Sequence, residues 1–406
     1  MKTRDIFLIE KSAIAFWLFV IGILWAYFGS LNPWFMWGVI KFNSIIPTIF
    51  ILLSMYVSSY FLEKGIFDRE ESSIPAFLAL LSLVLMRIVN GNNAIGITEA
   101  ILTAFIIFSV LRLNNDYLER LMRIICIIMG GFMCVSVAGF LLFLFGFPLP
   151  SSSIMNEELH YSFQNYYIFL IDDRAFFALF PRFHSVFLEP GHLGTATVFL
   201  LFTQIGHWKK WYNIMLFVTT FLTFSLAAYV LLIMVLFAAA WIQHKQFFLK
   251  ILAIIILIIS VGVGAFLYDQ GDNMLFTMIV ERLEMTEDGS IAGDNRVTED
   301  FEAVYDDYVQ SSDIWFGREY SIEDFGFGNA GYRVFLYDYG LICLILVLLF
   351  YISSVMFSPD KRAVISVLVI AIAAFMVRAT PFSFYFLLPL YALPYIRPED
   401  SSPLES

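Results

Sequence analysis

Long apolar stretches recur along the whole chain, and polar segments separate them. A helix needs about 20 mostly apolar residues to cross the hydrocarbon core of a bilayer. None of the stretches alternates between apolar and polar residues over about ten positions, which is the pattern of a membrane β-strand. We therefore predict about 12 transmembrane helices, in the segments 12–29, 43–62, 74–90, 97–113, 121–147, 186–206, 211–224, 225–243, 247–268, 334–357, 361–379 and 381–397.

The composition supports a membrane protein. Apolar residues make up 60% of the 406 residues, and charged residues only 15%. Soluble domains contain roughly 45–50% apolar residues and about 25% charged residues. This balance excludes a water-soluble enzyme, a disordered chain and a nucleic-acid-binding protein. The predicted fold class is an all-α polytopic integral membrane protein, with one helical domain over residues 1–397 and a cytoplasmic tail over 398–406.

The distribution of lysine and arginine predicts the orientation of the helices, because short cytoplasmic loops carry an excess of both residues. The N-terminus, alternate loops and the tail contain 15 of the 24 basic residues. Both termini are therefore expected in the cytoplasm, as an even number of spans requires. The opposite, periplasmic side then carries two large loops, at about 148–183 and about 269–333. Loops of this length are usually functional or disordered.

The second large loop is acidic. It has 16 carboxylates and three arginines between Asp269 and Asp324. One segment predicts an amphipathic helix, because apolar residues recur at helical spacing opposite acidic ones. Its apolar side consists of Val297, Phe301, Val304, Tyr305 and Tyr308. The tyrosines and carboxylates of this loop suit a glycan, and the alternative is a solvated loop with interfacial aromatic residues.

The first candidate site lies where the first large loop enters a helix, in the segment 181–194, which contains Arg182, His184, Glu189 and His192. A carboxylate at membrane depth is costly and marks a functional site by default. We therefore expect these residues to bind substrate or act in catalysis. The alternative is a structural ion pair between Arg182 and Glu189.

The spacing within this segment predicts its geometry. Ser185, Glu189 and His192 recur at helical intervals and would share one face of a continuous helix. Pro190 followed by Gly191 is expected to bend or break that helix, which is tolerated only against protein or a wet cavity.

Four further arginines lie in the predicted outer half, Arg296, Arg318, Arg333 and Arg378. Arginine stays charged and binds phosphate oxygens with two parallel hydrogen bonds. Arg333 and Asp338 are five positions apart, which places them near but not on the same helix face, so a salt bridge within the helix explains them poorly. The alternatives are that Arg333 extends to the membrane interface, and that Arg296 and Arg318 pair with acidic residues of the loop.

No metal or cofactor is expected. The three cysteines lie inside apolar runs without CxxC spacing, and small buried cysteines are common. The acidic segments lack the spacing of a calcium loop. The chain contains no GxSxG, Walker lysine or HExxH motif.

Several of these features together resemble the Wzy-type O-antigen repeat-unit polymerases, which belong to the same superfamily as the O-antigen ligases. They are the number of spans, the Arg-x(6)-Glu-Pro element from Arg182 to Pro190, and a larger outer loop before a helix that contains Tyr339-Gly340. The family often has an Arg-x(10)-Gly pattern in both loops. Here, however, Leu193 and Asn329 stand at the glycine positions after Arg182 and Arg318.

The resemblance implies a metal-independent glycosyl transfer at the periplasmic face of the inner membrane, in lipopolysaccharide O-antigen biosynthesis. Both substrates would be oligosaccharides linked to undecaprenyl pyrophosphate, and a chain-length regulator is a candidate partner protein. Positive charge would stabilise the departing pyrophosphate. The implied phosphate and glycan ligands are Arg182 and Arg333, then Arg296 and Arg318, with His184 and Asp338 beside them. The implied general base is Glu189 first and His192 second.

Two other functions stay open at this point. The first is an O-antigen ligase or another lipid-linked glycan transferase, although ligases carry a histidine in the second large loop and this chain has none after His244. The second is a polysaccharide or solute transporter or flippase, which would place ionisable residues and broken helices near the middle of the bilayer.

Overall fold

The computed structural model describes residues 3–61, 65–69, 72–89, 91, 94–156, 161–175, 181–243, 246–268, 276, 297–320, 322–325 and 329–393. Helices account for 74% of the protein, so the predicted helical membrane class is confirmed. Ser152–Asn156, Tyr161–Asn165 and Leu170–Asp172 are strands, and we number them β1 to β3. The helices, numbered α1 to α14 in order, are Thr3–Ser30, Ile45–Phe61, Ser73–Val89, Ala94–Arg112, Asn115–Leu144, Pro190–Thr203, Trp211–Leu222, Leu226–Gln243, Phe247–Leu267, Glu299–Val309, Ile322–Phe325, Tyr332–Val355, Lys361–Val377 and Phe384–Tyr391.

Each of the 12 predicted apolar segments overlaps one of these helices. Within the described residues, five helices are long and apolar enough to cross a membrane, namely α1, α4, α5, α8 and α12. The apolar helices α2, α3 and α7 are shorter, with 17, 17 and 12 residues, and α6 has only 14 residues. The number of spans and the cytoplasmic position of the termini stay predictions. The tail 398–406 and Arg296 lie outside the described residues.

The first large loop departs from the all-helical prediction, because it contains a three-stranded antiparallel sheet in the order β1, β2, β3. Ile154 lies opposite Phe163 in its register. Strands of three to five residues are too short to show the alternation that would predict them. The buried Phe163, Leu170 and Leu188 form a cluster that attaches the sheet to the bundle.

The helix α6 lies at the centre of the bundle. Every residue of α6 except His192 is buried. It packs against α7, α8 and α14, and close approach requires a small residue at Gly194, where a Cβ would meet Thr223 and Ala228. We call one end of the bundle the site end. It is the end at which α6 and α14 begin and at which α1, α3, α5 and α13 finish.

Residues 297–320 and 322–325, which are described parts of the second large loop, fold into a cap on α12. In α10, Phe301, Tyr305 and Tyr308 are buried against Tyr337 of α12, while the acidic side of α10 faces outward. The predicted amphipathic helix is therefore confirmed. Thr298 caps α10 by accepting a hydrogen bond from the backbone N–H of Phe301.

A break in α12 supports this cap. Gly340 has φ 74° and ψ 174°, which interrupts the helix. The backbone of Gly317, with φ 87°, packs directly on residues 338–340, so that a Cβ on either glycine would meet backbone atoms. Glycine adopts these angles without a steric penalty, so both positions depend on it.

Candidate functional site

The entry to α6 differs from the predicted continuous helix face. Residues 181–188 are not helical, and Ser185 has a left-handed backbone with φ 51°. The helix begins only at Pro190, which occupies the first helical position, with Glu189 as the N-cap residue. Proline suits this position because its missing N–H has no partner there in any helix. No helix therefore continues across Pro190, in agreement with the predicted break, and the prediction that Ser185 shares a helix face with Glu189 is wrong.

An ion pair joins Glu189 to Arg378, which the sequence only grouped with the other arginines of the outer half. Nη1 of Arg378 donates a 2.7 Å hydrogen bond to Oε2 of Glu189. The predicted alternative pair between Arg182 and Glu189 is therefore wrong. Arg378 follows the last residue of α13, where one basic residue ends an apolar run, and this was the only local signal for it.

Two ring side chains complete the group around Glu189. Nδ1 of His192 lies 3.8 Å from Oε2 of Glu189, and the ring of His192 lies 5.6 Å from that of Tyr385. The side chains of Glu189, His192 and Arg378 are 31%, 23% and 19% exposed, so the group is recessed but reachable. We call Glu189, His192, Arg378 and Tyr385 the α6 cluster.

The first turn of α6 fits closely around Arg378. A Cβ on Gly191 would collide with the guanidinium of Arg378, so any other residue at this position would require the arginine to move. Nε of Arg378 is buried and has no hydrogen-bond partner among the described residues. An unused buried donor is costly, and a substrate oxygen would satisfy it.

Arg182 does not contact Glu189. Its Nε donates a 3.0 Å hydrogen bond to the backbone carbonyl of Thr223, and the side chain of Thr223 packs against Gly194. The guanidinium of Arg182 is therefore held at the junction of α7 and α8, which packs against α6.

His184 has a structural position. Its ring is buried, and Nδ1 lies 3.0 Å from the backbone carbonyl of Leu188. Burial, with the charge of Arg182 as a second cause, lowers the pKa of His184 to about 4. The imidazole is therefore neutral at physiological pH, and it supports the loop instead of attracting an anion.

The predicted site residues of the second large loop have partners within the cap. Arg333 donates a 2.7 Å hydrogen bond to Glu302, and Arg318 donates one of 2.8 Å to Asp313. That bond raises the pKa of Arg318. Asp338 accepts a hydrogen bond from the backbone N–H of Tyr320. For Arg318, this is the pairing with loop acids that the sequence left open.

The cap nevertheless lies next to the α6 cluster. Gly331, just before α12, packs on the carbonyl of Met376 at the end of α13, close enough to exclude a Cβ. One turn later, the rings of Phe335 and Phe375 lie 5.1 Å apart. Arg333 at the start of α12 and Arg378 of the cluster thus belong to adjoining helix ends.

The α6 cluster combines a carboxylate, an imidazole, a phenol and a guanidinium in a recess at the site end. Such a set can exchange a proton and can bind an anionic oxygen. Among the described residues, no group of three or more His, Cys, Asp or Glu side chains could hold a metal ion. No family model, curated protein or solved structure matches this chain.

Proposed function

We propose that this protein polymerises lipid-linked oligosaccharide repeat units, by glycosyl transfer at the periplasmic face of the inner membrane. The observation that carries the proposal is the α6 cluster, where Glu189, His192 and Arg378 meet at the recessed start of a buried helix. The sequence resemblance to O-antigen polymerases supplies the substrates, two oligosaccharides on undecaprenyl pyrophosphate. One is the glycosyl donor and the other the acceptor.

Departure of the donor's pyrophosphate needs positive charge at a fixed position. Arg378 meets this need best, because its buried Nε lacks a partner and Glu189 fixes its orientation. Preorganised charge of this kind stabilises a leaving group without any rearrangement during the reaction. Arg182, which is held at the carbonyl of Thr223, and Arg333 of α12, which pairs with Glu302, are further candidates for binding phosphate.

The acceptor hydroxyl must lose a proton as it attacks. Glu189 is a weak candidate for this role, because its ion pair with Arg378 stabilises the ionised form. His192 is a better candidate, since its ring stands between Glu189 and Tyr385 without a hydrogen bond to either. The proposed roles are therefore His192 as general base, Glu189 as the group that orients Arg378, and Arg378 as the pyrophosphate ligand.

Deleting the gene and separating the surface polysaccharide by electrophoresis tests this function. We expect the ladder of chain lengths to collapse to one repeat unit, and an unchanged ladder would reject the proposal. Full-length polymer that stays on the lipid carrier would instead identify a ligase. Complementation with His192→Ala or Arg378→Ala should fail, whereas Arg362→Ala, at the other end of α13, should restore the ladder.

A second candidate function is transport of a polar solute. A cavity of about 720 Å³ lies at the end opposite the site end, and Thr203, Gln204 and Tyr391 are among its lining residues. The helix α6 runs from the cluster to this cavity, as a transport path between two recesses would require. Counterflow of labelled repeat-unit oligosaccharide in proteoliposomes tests this function, and uptake that depends on His192 would favour it over polymerisation.

A further inference from the structure

A separate cavity of about 440 Å³ lies beside the α6 cluster at the site end. This volume falls within the range of roughly 300–1,000 Å³ that is typical of ligand sites. Its walls come from α1, α3, α4 and the turn between α13 and α14. That turn connects the two places, because Arg378 and Tyr385 belong to the cluster while Thr380 and Ser383 line the cavity.

The charged groups of this cavity balance each other. Arg87 and Glu99 both line it. Their closest side-chain atoms are 3.6 Å apart, and both side chains are about two-fifths exposed, at 42% and 39%. This separation is longer than a hydrogen bond, so both groups keep capacity for a ligand. A carboxylate in the wall disfavours an anion, so the cavity suits an uncharged ligand.

Further polar groups point to a ligand with many hydroxyls. Ser44, Thr103 and Ser383 line the cavity, and within the described chain their hydroxyls have no hydrogen-bond partner. Asn43 also lines it, and its amide oxygen accepts a 3.2 Å hydrogen bond from Trp25, which leaves the amide nitrogen as a donor. Donors and acceptors are thus mixed around one space, as recognition of sugar hydroxyls requires.

The remaining wall is apolar and aromatic. Leu83 and Met86 of α3 line one side, and Phe382 and Phe384 line another. Apolar surface with a few convergent polar groups is the usual construction of a small-molecule site. Aromatic faces next to hydroxyl and amide groups match the two faces of a sugar ring.

We propose that this cavity binds the uncharged sugars of the acceptor oligosaccharide and presents an acceptor hydroxyl to the α6 cluster. The inference rests on the proposed polymerase function and assigns the acceptor to a place distinct from the arginines that bind pyrophosphate. Arg87, Glu99 and Thr103 are the principal binding residues, and none of them takes part in the proton transfer.

The test measures acceptor kinetics of the full-length protein in nanodiscs. The substrate is the lipid-linked repeat unit that accumulates in the deletion strain. The variants are Thr103→Val, which removes a hydroxyl at nearly constant volume, and Glu99→Gln, which removes the negative charge. Thr98→Val is the matched control on the same helix, because the Thr98 hydroxyl is occupied by the carbonyl of Ala94.

We expect each cavity variant to raise the KM for acceptor about tenfold, which corresponds to one lost hydrogen bond of about 1.4 kcal/mol. The value of kcat should stay within about threefold, because the interaction is made equally in the ground and transition states. Thr98→Val should match the wild type. An unchanged KM in both variants, or a fall in kcat alone, would overturn the cavity assignment while leaving the polymerase function intact. A wild-type protein that forms no polymer would reject both.

Discussion

Oε2 of Glu189 lies 2.7 Å from Nη1 of Arg378, although 189 positions separate the two residues in the chain. The pair joins the start of α6 to the end of α13, so it fixes the relative position of two helix termini at the proposed site. Since both side chains are mostly shielded from water, removing one partner leaves the other poorly solvated.

The first prediction concerns the stability of this pair. Arg378→Met should lower the free energy of unfolding by about 1–3 kcal/mol, between the values for exposed and fully buried pairs. The double variant with Glu189→Gln should recover part of that loss, because no unpaired charge remains. Thermal unfolding in detergent measures both effects, with the exposed pair of Glu119 and Arg123 as reference.

For that reference pair, Arg123→Met should cost only about 0.3–0.5 kcal/mol. Equal losses from Arg378→Met and Arg123→Met would show that the ion pair in the α6 cluster contributes no more to the free energy of unfolding than the exposed pair.

The second prediction concerns Gly191. The variant Gly191→Ala places a methyl group where the guanidinium of Arg378 lies, so the arginine must move. We expect polymer formation to fall about 100-fold, the effect of losing one preorganised charge group. Gly131→Ala is the matched control, because a Cβ on that helical glycine meets no atom within 4 Å.

Gly131→Ala should keep full activity and gain up to about 1 kcal/mol of stability from helix propensity. Full activity in Gly191→Ala would mean that Arg378 can leave its position without consequence, and its role as the pyrophosphate ligand would then be lost.

The third prediction concerns pH and His184. Its pKa falls from 6.5 to about 4 in the folded protein, so the unfolded chain binds more protons between these two values. The free energy of unfolding should therefore be highest above about pH 6.5. It should decline as the pH falls towards 4, by up to about 3 kcal/mol. Unfolding midpoints measured from pH 4.5 to 7.5 show this slope.

In His184→Gln the slope over this range should become shallower, whereas His207→Gln, at the opposite end of the bundle, should keep the wild-type slope. An identical slope in His184→Gln would assign the pH dependence to other groups.

The fourth prediction concerns the attachment of the cap. Gly317→Ala introduces a side chain at φ 87°, against the carbonyl of Asp338. We expect the cap to detach, so limited proteolysis should cut residues 297–320 at least about tenfold faster than in the wild type, in proportion to the population of the open form. Gly264→Ala, at a position with no atom within 4 Å, should be cleaved at the wild-type rate.

Local sequence signals predicted the helices well. Apolar runs and their polar boundaries depend on neighbouring residues only, which is why each of the 12 predicted segments overlaps a helix. The amphipathic segment of the second loop was predicted for the same reason, since Phe301 and Tyr308 face the same side of one helix.

The arrangement of the site depends on contacts that no local pattern encodes. Glu189 pairs with Arg378, although Arg182 is nearer to it in the sequence. The reason is that packing of α13 against the bundle brings Arg378 to Gly191. The left-handed turn at Ser185 likewise results from the sheet and the bundle around it. The role of the segment 181–194 as a functional site thus stays a prediction, and the sequence predicted neither the partner of Glu189 nor the helical start at Pro190.

The enclosure of α6 has a consequence for how such a protein can change over evolution. A helix that contacts lipid must keep an apolar surface for insertion into the membrane, whereas α6 is surrounded by other helices on nearly every side. The threonines and glycines of α6 are therefore constrained by packing against neighbouring side chains and not by contact with lipid. Substitutions along α6 can therefore alter the chemistry of the recess while the outer helices keep the protein seated in the same membrane.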